Sequence, residues 1–258
     1  MSMERLRKSE ASSYPISTTL VKGFSVLECI AEHQPVRASG IIRRLGFSKG
    51  NTYHLLAALE HLGYVRKVDE GYELTSRMYA IGNTVPITRH VASIARPIMA
   101  RIAGEEGIHV YLTVPSKLRM VNLERAQPTS DIQVANDYAM TYELHCTASG
   151  KLWLSFLTKS ERADLYRRMR LSRRTPSTIT DPAQLEQEIA RIAEQGYAVE
   201  LTEHSPYING VAAPILEPAG SFLASLSVVG PTPILTREAM SRLTPRLIES
   251  AGQITHSL

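Results

Sequence analysis

The segment that most constrains the fold is a short helical stretch near the N-terminus, residues 48–62, with the sequence SKGNTYHLLAALEHL. Ser48 is a favourable helix N-cap, and Gly63 follows as a helix stop. Four leucines recur at helical spacing and predict one buried face: Leu55, Leu56, Leu59 and Leu62. The opposite face carries small or hydrogen-bonding groups: Gly50, Tyr53, His54, Ala57 and His61. An ordinary surface helix carries more lysine and glutamate, so this face is suited to close approach by another molecule.

Two further helices precede this segment. The first begins at Thr18 and ends near Gln34–Pro35, and its apolar stripe consists of Leu20, Phe24, Leu27 and Ala31. The second spans residues 38–45 and turns three apolar residues inward: Ile41, Ile42 and Leu45. Only the turn 46–48 separates it from the next helix. Helix, short glycine-bearing turn and helix form the helix-turn-helix arrangement, whose second helix enters the major groove of DNA.

The residues that follow the helix-turn-helix predict a small wing. Residues 64–75 alternate apolar and polar side chains around a turn at Asp69-Glu70-Gly71, which is typical of a hairpin. From residue 34 to 68 the chain also carries six basic residues against one acidic residue, Glu60. Such an excess suits a phosphate backbone, so the pattern favours a DNA-binding winged helix-turn-helix.

The remainder of the chain has a mixed pattern of helices and short strands. Residues 76–103 are helical in pattern, with a break expected at Arg96–Pro97. Short strands are then predicted at 108–114, 119–124, 210–216 and 222–230, with a hairpin turn at 217–220. Helices are predicted at about 145–157, 160–169, 182–195 and 236–255. Strands flanked by helices in this order indicate an α+β sensor-type domain.

Composition limits the possible classes of protein. A chain of 258 residues with 43% hydrophobic residues can build one large domain or two modest ones. No apolar run reaches the length of a membrane span, and the charged first ten residues do not resemble a signal peptide. Cys29 and Cys146 are far apart, which suggests two reduced thiols in a cytoplasmic protein. A net charge of +4 permits a nucleic-acid partner without requiring one.

Two rival functions start from histidine and cysteine. The adjacent pair His145 and Cys146 raises the possibility of a Cys/His-dependent hydrolase, but neighbouring residues seldom point at each other. A metal-sensing regulator would have to gather His109, His145, His204 and Cys146, which lack ligand spacing apart from the adjacent pair. A purely architectural DNA-binding protein would not need a second domain of this size. We therefore expect no catalytic residues, no metal site and no cofactor.

The order and spacing of several stretches resemble the IclR family of bacterial transcription regulators, from Leu20 onward. The stretches that carry the resemblance are VKGFSVLECIAEH, FSKGNTYHLLAALEHLGYV, LHCTASGKLWLSFL, TPSTITDPAQLEQEIARIAEQGYAVE and GVAAPILEPAGSFLASLSVVGPTPILT. The resemblance implies a winged helix-turn-helix, a linker helix and a C-terminal GAF-like effector domain. On this basis we expect a mobile tail at 1–16, the DNA-binding domain at 17–75, the linker helix at 76–95 and the effector domain at 96–258. It also implies dimers through the DNA-binding domains, or tetramers.

By position, the family's groove-reading residues fall on Lys49, Gly50, Asn51, Tyr53 and His54. The surrounding DNA contacts are expected at Arg37, Arg43, Ser48, Arg66 and Lys67. The family usually has arginine where this chain has His54, and often serine and threonine at Gly50 and Asn51. Arginine reads guanine whereas asparagine favours adenine, so the operator is expected to differ from the usual one.

The family's effector pocket falls on Val134, Tyr142, Ala148, Ser149, Glu200, Ile208, Gly210, Ser227 and Val229. Gly210 stands where the family often has cysteine, and Val229 where it often has a second serine. These two differences predict a pocket that is roomier and more apolar than a pocket built for a very small acid. The helix start at Ala148-Ser149-Gly150 and the hydroxyl of Ser227 could hold a carboxylate. Glu200, an acceptor when ionised, could hold a hydroxyl of the effector. The predicted partners are a DNA operator, a small organic effector (expected to be a carboxylate) and further copies of the chain.

Overall fold

The computed structural model describes residues 15–128, except 83 and 85, and residues 141–258. The chain divides between residues 84 and 85 into two compact units. The predicted fold class, a winged helix-turn-helix followed by an α+β domain, is confirmed. Val134, one of the predicted pocket residues, lies outside the described residues.

The first unit is a three-helix cluster with a two-stranded wing and one further short helix. Its elements are α1 (Thr18–His33), α2 (Ala38–Leu45), α3 (Lys49–His61), β1 (Val65–Val68), β2 (Gly71–Leu74) and α4 (Ser76–Gly82). Gly46 ends α2 in the left-handed conformation, at φ +66°, and donates its N–H to Ile42. Ser48 then caps α3 by accepting the N–H of Asn51 at 3.3 Å. The predicted three-residue turn is therefore present between α2 and α3.

The wing is fixed to the loop between α1 and α2. Val36 and Tyr72 exchange backbone hydrogen bonds of 3.0 and 2.9 Å across this contact. Gly71 turns the hairpin at φ +149°, and a Cβ at this position would lie 2.4 Å from the carbonyl oxygen of Val36. Only glycine allows so close a backbone approach, so the hairpin stays attached to the helices.

The apolar core of this unit differs from the predicted stripes at three positions. Its members from α1 are Val26, Leu27, Cys29 and Ile30, and from α3 Leu55, Leu56 and Leu59. Leu20 and Phe24 were expected in the stripe but are 61% and 55% exposed, because they lie in the first two turns of α1, before its first buried residue, Val26. Leu62 is 50% exposed because it is the residue that caps the end of α3.

The second unit is a six-stranded antiparallel sheet with helices on both faces. Its helices are α5 (Pro86–Glu106), α6 (Ala148–Ser155), α7 (Lys159–Arg168), α8 (Pro182–Gln195) and α9 (Arg237–His256). Its strands are β3 (His109–Ser116), β4 (Arg119–Ala126), β5 (Thr141–Glu143), β6 (Ala198–Leu201), β7 (Ile208–Leu216) and β8 (Phe222–Pro231). The strand order is β5-β4-β3-β8-β7-β6. The short edge strands β5 and β6 were not predicted, since three or four residues carry little periodicity.

Alternation along the strands separates two apolar cores. Val110 and Leu112 on β3 belong to the core under α5 and α9. Met120 on β4 and Ala212 on β7 belong to the core under α6 and α8. Because β-strand side chains alternate in direction, Tyr111 of β3 points to the α6 side of the sheet.

The expected break at Arg96–Pro97 is wrong. Helix α5 continues through Pro97 to Glu106, and α4 is separate from it, so the predicted linker helix at 76–95 corresponds to two helices. Ala95, Met99 and Ile102 are buried along one face of α5 on both sides of the proline. Packing of this face on the sheet offsets the loss of one backbone hydrogen bond. No helix within the described residues has the length and apolar character needed to cross a membrane.

Candidate functional site

Helix α3 presents an open surface opposite its leucines. Lys49, Gly50 and His54 are exposed, and Tyr53 is 47% exposed. Nothing lies within 4 Å of the position that a Cβ at Gly50 would occupy. Asn51 is half-buried next to the cap, with its backbone held by Ser48. The open space at Gly50 allows another molecule to approach this part of the helix closely.

Basic side chains surround that surface. Arg37, Arg43 and Lys67 are exposed, and in the described part of the chain none of them forms an ion pair. Arg66 on β1 is paired across the wing with Glu73 on β2. The hydroxyl of Ser48 is engaged as the cap of α3. Three of the predicted phosphate contacts are therefore free to bind an anion, whereas Arg66 must first share its charge with Glu73.

The second unit contains a cavity of about 110 Å³ between α6 and the sheet. A water-sized group needs roughly 10 Å³ by this measure, so the space suits a molecule of about ten non-hydrogen atoms. Seven of the nine predicted pocket residues line it: Tyr142, Ala148, Ser149, Glu200, Ile208, Ser227 and Val229. Gly210 is not among the lining residues and lies on β7 opposite Glu200. A Cβ at Gly210 would lie 3.7 Å from an oxygen of Glu200, so glycine leaves space beside that carboxyl.

Six lining residues were missed from the sequence: Tyr111, Thr113, Met120, Asn122, Thr147 and His204. Tyr111 pairs with Ser227 and Thr113 with Ser225 across the antiparallel ladder of β3 and β8. Alternation along β3 was a usable signal, because it places Tyr111 and Thr113 on one face. His204 gave no such signal, since it lies in the connection between β6 and β7.

Two hydroxyl groups in the cavity have no hydrogen-bond partner among the described residues. The Oγ1 atom of Thr113 is buried and makes no hydrogen bond. Ser227 is 2% exposed, and no hydrogen bond of its side chain occurs among the described residues. Burying a hydroxyl without a partner is costly, so both groups are positioned to bind a ligand. Ser149 differs because its hydroxyl oxygen accepts from Ser225 at 2.9 Å.

The N-terminus of α6 is partly occupied by groups of the chain itself. The Oγ1 atom of Thr147 accepts the N–H of Gly150 at 3.2 Å, and Glu200 accepts the N–H groups of Ala148 and His204. Burial raises the pKa of Glu200 to about 8, with the nearby Glu203 charge adding to the shift. This shift favours the protonated form of the carboxyl near neutral pH. A protonated Glu200 can also donate a hydrogen bond, which the sequence does not indicate because it does not show the burial of this residue.

Lys151 anchors the same helix through a buried ion pair. Its side chain is 1% exposed and binds Glu203, with an oxygen of Glu188 at 3.5 Å. Glu203 lies just after β6 and Glu188 on α8, so the ammonium group joins three elements around the cavity. A buried charge of this kind is tolerated only with its partners in place. The pair therefore holds α6 in the position that forms the cavity wall.

Cys146 and its neighbours do not form a nucleophilic site. Burial and the negative charge of Glu143 raise the pKa of the Cys146 thiol far above its usual range. The side chain is fully buried, and its Sγ lies 3.7 Å from Nδ1 of His204. His145 instead donates from Nε2 to the carbonyl oxygen of Ser172 at 3.0 Å. A buried thiol that is held protonated is a poor nucleophile.

Comparisons with known proteins cover both units. The profile of the IclR helix-turn-helix domain matches residues 19–69, and that of the bacterial transcriptional regulator IclR C-terminal domain matches residues 87–256. The acetate operon repressor of Salmonella typhimurium is 25% identical over 260 residues, covering 98% of this chain and 95% of that protein. The crystal structure of Thermotoga maritima IclR is 29% identical with a TM-score of 0.69, covering 93% of this chain and 98% of that one. The same fold occurs in an IclR homologue from Microbacterium hydrocarbonoxydans whose crystal structure is a complex with 4-hydroxybenzoate. The two chains are 23% identical with a TM-score of 0.75, and the match covers 93% of this chain and 99% of that one.

Proposed function

Because this chain belongs to the IclR family of transcriptional regulators, we propose that α3 reads a DNA operator and that a small organic carboxylate bound in the cavity controls this reading. As a member of the family, the chain is a regulator with a DNA-binding domain and a C-terminal effector-binding domain, not an enzyme. The proposal concerns the residues that read the operator, the class of the effector and the assembly.

In the DNA-binding domain, we assign base reading to the exposed face of α3. Lys49, Asn51, Tyr53 and His54 lie at the start of this helix or on its open face. The exposed Arg37, Arg43 and Lys67 are assigned to phosphates, which position a protein on DNA without reading sequence. We keep the DNA-binding domain at 17–75, and because α5 runs unbroken through Pro97 we begin the effector domain with α5 rather than at residue 96.

One observation carries the effector assignment. Thr113 Oγ1 and the hydroxyl of Ser227 line the cavity and have no hydrogen-bond partners in the part of the chain that the structure describes, while the Ser149 hydroxyl keeps its own proton available. Three hydroxyl donors around one space suit the oxygens of a carboxylate. Tyr142, Ile208 and Val229 supply apolar surface for the rest of the molecule. A ligand of about ten non-hydrogen atoms matches the size of a hydroxybenzoate, the molecule bound to the Microbacterium homologue.

The test is calorimetry on the full-length chain with a series of aliphatic and aromatic carboxylates, including 4-hydroxybenzoate. Each acid is compared with its methyl ester, which keeps the shape but removes the charge. We expect at least one acid to bind with micromolar affinity, its ester to bind at least about tenfold more weakly, and operator affinity to change in its presence. Equal binding of acid and ester would remove the carboxylate from the proposal.

We further infer that the chain assembles at least as a dimer through α1. Leu20, Val21 and Phe24 form an exposed apolar face on this helix, between 52% and 61% exposed. An apolar patch of this kind on one helix marks an association surface, and a palindromic operator requires two-fold pairing. Sedimentation of the Phe24→Glu variant should show a weakened dimer, whereas Ile234→Glu, at an exposed isoleucine of the effector domain, should leave it intact. A monomeric parent chain at micromolar concentration, with and without DNA, would contradict this assignment.

A further inference from the structure

Three side chains able to bind a metal ion meet beside the cavity, between the end of β5 and the start of α6, and a fourth, His204 of the β6–β7 connection, contacts one of them. The ligand atoms of Glu143, His145 and Cys146 all lie within 4.8 Å of one another. Cys146 Sγ is 3.5 Å from an oxygen of Glu143 and 3.7 Å from Nδ1 of His204. Zinc ligands lie about 2.0–2.3 Å from the metal, which puts neighbouring ligand atoms of a tetrahedral site roughly 3.3–3.8 Å apart. Both measured separations from Cys146 fall in this range.

We propose that this cluster binds one borderline transition-metal cation of the Zn²⁺ class, in addition to the DNA and effector sites. The donor set of one thiolate, two imidazoles and one carboxylate suits Zn²⁺ or Co²⁺ rather than Mg²⁺ or Ca²⁺, which prefer oxygen alone. On binding, the Cys146 thiol gives its proton to solvent and the thiolate coordinates the ion. The cation brings two positive charges and one proton leaves, so the site gains one positive charge, which the carboxylate of Glu143 is placed to stabilise.

The second ligand sphere is already in place around His145. Its Nε2–H donates to the carbonyl oxygen of Ser172 at 3.0 Å, a tautomer that leaves Nδ1 with the lone pair a metal requires. A carbonyl partner of this kind fixes the orientation of a metal-binding imidazole. His145 is 1% exposed, so its ring is further restrained by packing.

Arg174 makes Glu143 the weakest of the four ligands. Its Nε lies 3.1 Å from Oε2 of Glu143, the same oxygen that faces Cys146. A cation would compete with this guanidinium for the carboxylate. We therefore assign the main binding strength to Cys146 and the two histidines, with Glu143 as an exchangeable fourth ligand.

His204 provides the route of entry. Its side chain contacts Cys146 and also lines the cavity, so a cation reaches the cluster from the cavity wall without opening the core. Tyr142, whose ring centroid is 5.7 Å from that of His204, covers the same wall. Metal and effector would thus share one boundary of the cavity.

The experiment is titration of the full-length, tag-free chain with Co²⁺ alone, followed by absorption spectroscopy and displacement with Zn²⁺. We expect one Co²⁺ per chain, with thiolate-to-cobalt charge-transfer absorption and the visible bands of a tetrahedral site. His204→Gln should weaken binding at least about tenfold while the charge-transfer absorption persists at saturating Co²⁺. Cys146→Ala should abolish that absorption. Cys29→Ala, which removes the other buried thiol, and His256→Gln, at an exposed histidine, are the matched controls and should bind as the parent does.

Several results would overturn the site. A parent chain that binds no Co²⁺, or binds it without thiolate charge transfer, contradicts the assignment directly. Parent-like binding by a folded His204→Gln variant does the same for that ligand. If Cys146→Ala fails to fold, the spectrum of the Cys29→Ala variant still tests the site. Cys146 is the one thiol left in that variant, so any thiolate-to-cobalt absorption must come from it.

Discussion

The side chains of Ser225 and Ser149 are joined by a buried hydrogen bond of 2.9 Å, which ties strand β8 to the first turn of helix α6. Two residues further along the same strand, Ser227 faces the cavity, and its hydroxyl has no partner among the described residues. The two serines share a strand and a face but have different surroundings. One stabilises the wall of the cavity, and the other is free to bind its contents.

Ser227→Ala and Ser225→Ala should therefore separate binding from stability. A hydrogen bond to a charged group contributes about 1.5–3 kcal/mol, so Ser227→Ala should weaken effector binding roughly ten- to a hundredfold. Its melting temperature should stay near that of the parent. Ser225→Ala should instead lower the free energy of unfolding by about 1–3 kcal/mol, because it leaves the buried Ser149 oxygen unpaired. Calorimetry and urea unfolding on both variants give the comparison, and identical effector affinities for parent and Ser227→Ala would place the anion elsewhere.

Asn51→Ala and Arg43→Ala should affect DNA binding in different ways. Loss of a base-reading side chain should cost about 1–3 kcal/mol of specific affinity and relax preference at one base pair per half-site. Loss of the exposed Arg43, as a phosphate contact, should weaken binding to all sequences alike and reduce the salt slope by about one. Fluorescence anisotropy with operator and random duplexes at several salt concentrations makes both measurements. An Asn51→Ala variant with parental affinity and footprint would remove Asn51 as a reader.

Lys151→Ala should destabilise the effector domain severely. The substitution leaves Glu203 buried without its cation, and breaking such a pair costs about 3–5 kcal/mol. The double variant Lys151→Met with Glu203→Gln keeps the volume and removes both charges, so it should recover much of the loss. Urea unfolding of the parent and the two variants tests this, and a loss below about 1 kcal/mol in Lys151→Ala would show that the ion pair is not what holds α6.

Stability in acid should depend on the contact between α7 and α8. Hydrogen bonds from Arg162, at 2.7 Å, and from Tyr166, also at 2.7 Å, hold the pKa of Glu186 below its usual value. A carboxyl with a lowered pKa in the folded state stabilises the fold above its unfolded pKa of about 4.3, and this contribution is lost as pH falls through the lower folded pKa. The stability difference between the parent and Glu186→Gln should therefore shrink as pH falls below about 4.3. Glu194→Gln, on the exposed side of α8, serves as the control and should show no such trend.

Much of the DNA-binding domain could be predicted from the sequence because its signals are local. The leucine spacing of α3, the capping Ser48 and the glycine at 46 each act within a few residues, so their pattern specifies helix, turn and helix without knowledge of the rest. The same holds for the hairpin of the wing. Periodicity does not show how far along a helix its apolar stripe is covered, and Leu20 and Phe24, in the first two turns of α1, are exposed.

In the effector domain, resemblance to the family identified seven of the residues that line the cavity. The protonation and hydrogen bonding of those residues could be seen only in the tertiary structure. Cys146 and His204 are 58 positions apart in the chain, and their side chains meet because α6, which follows β5 and Cys146, packs across the sheet as far as β6. The raised pKa of Glu200 and the unpaired hydroxyl of Thr113 likewise arise from burial by distant segments. Local spacing determines which elements form, because their hydrogen bonds and periodic faces are short-range. Proximity and desolvation between distant residues are decided only when those elements pack.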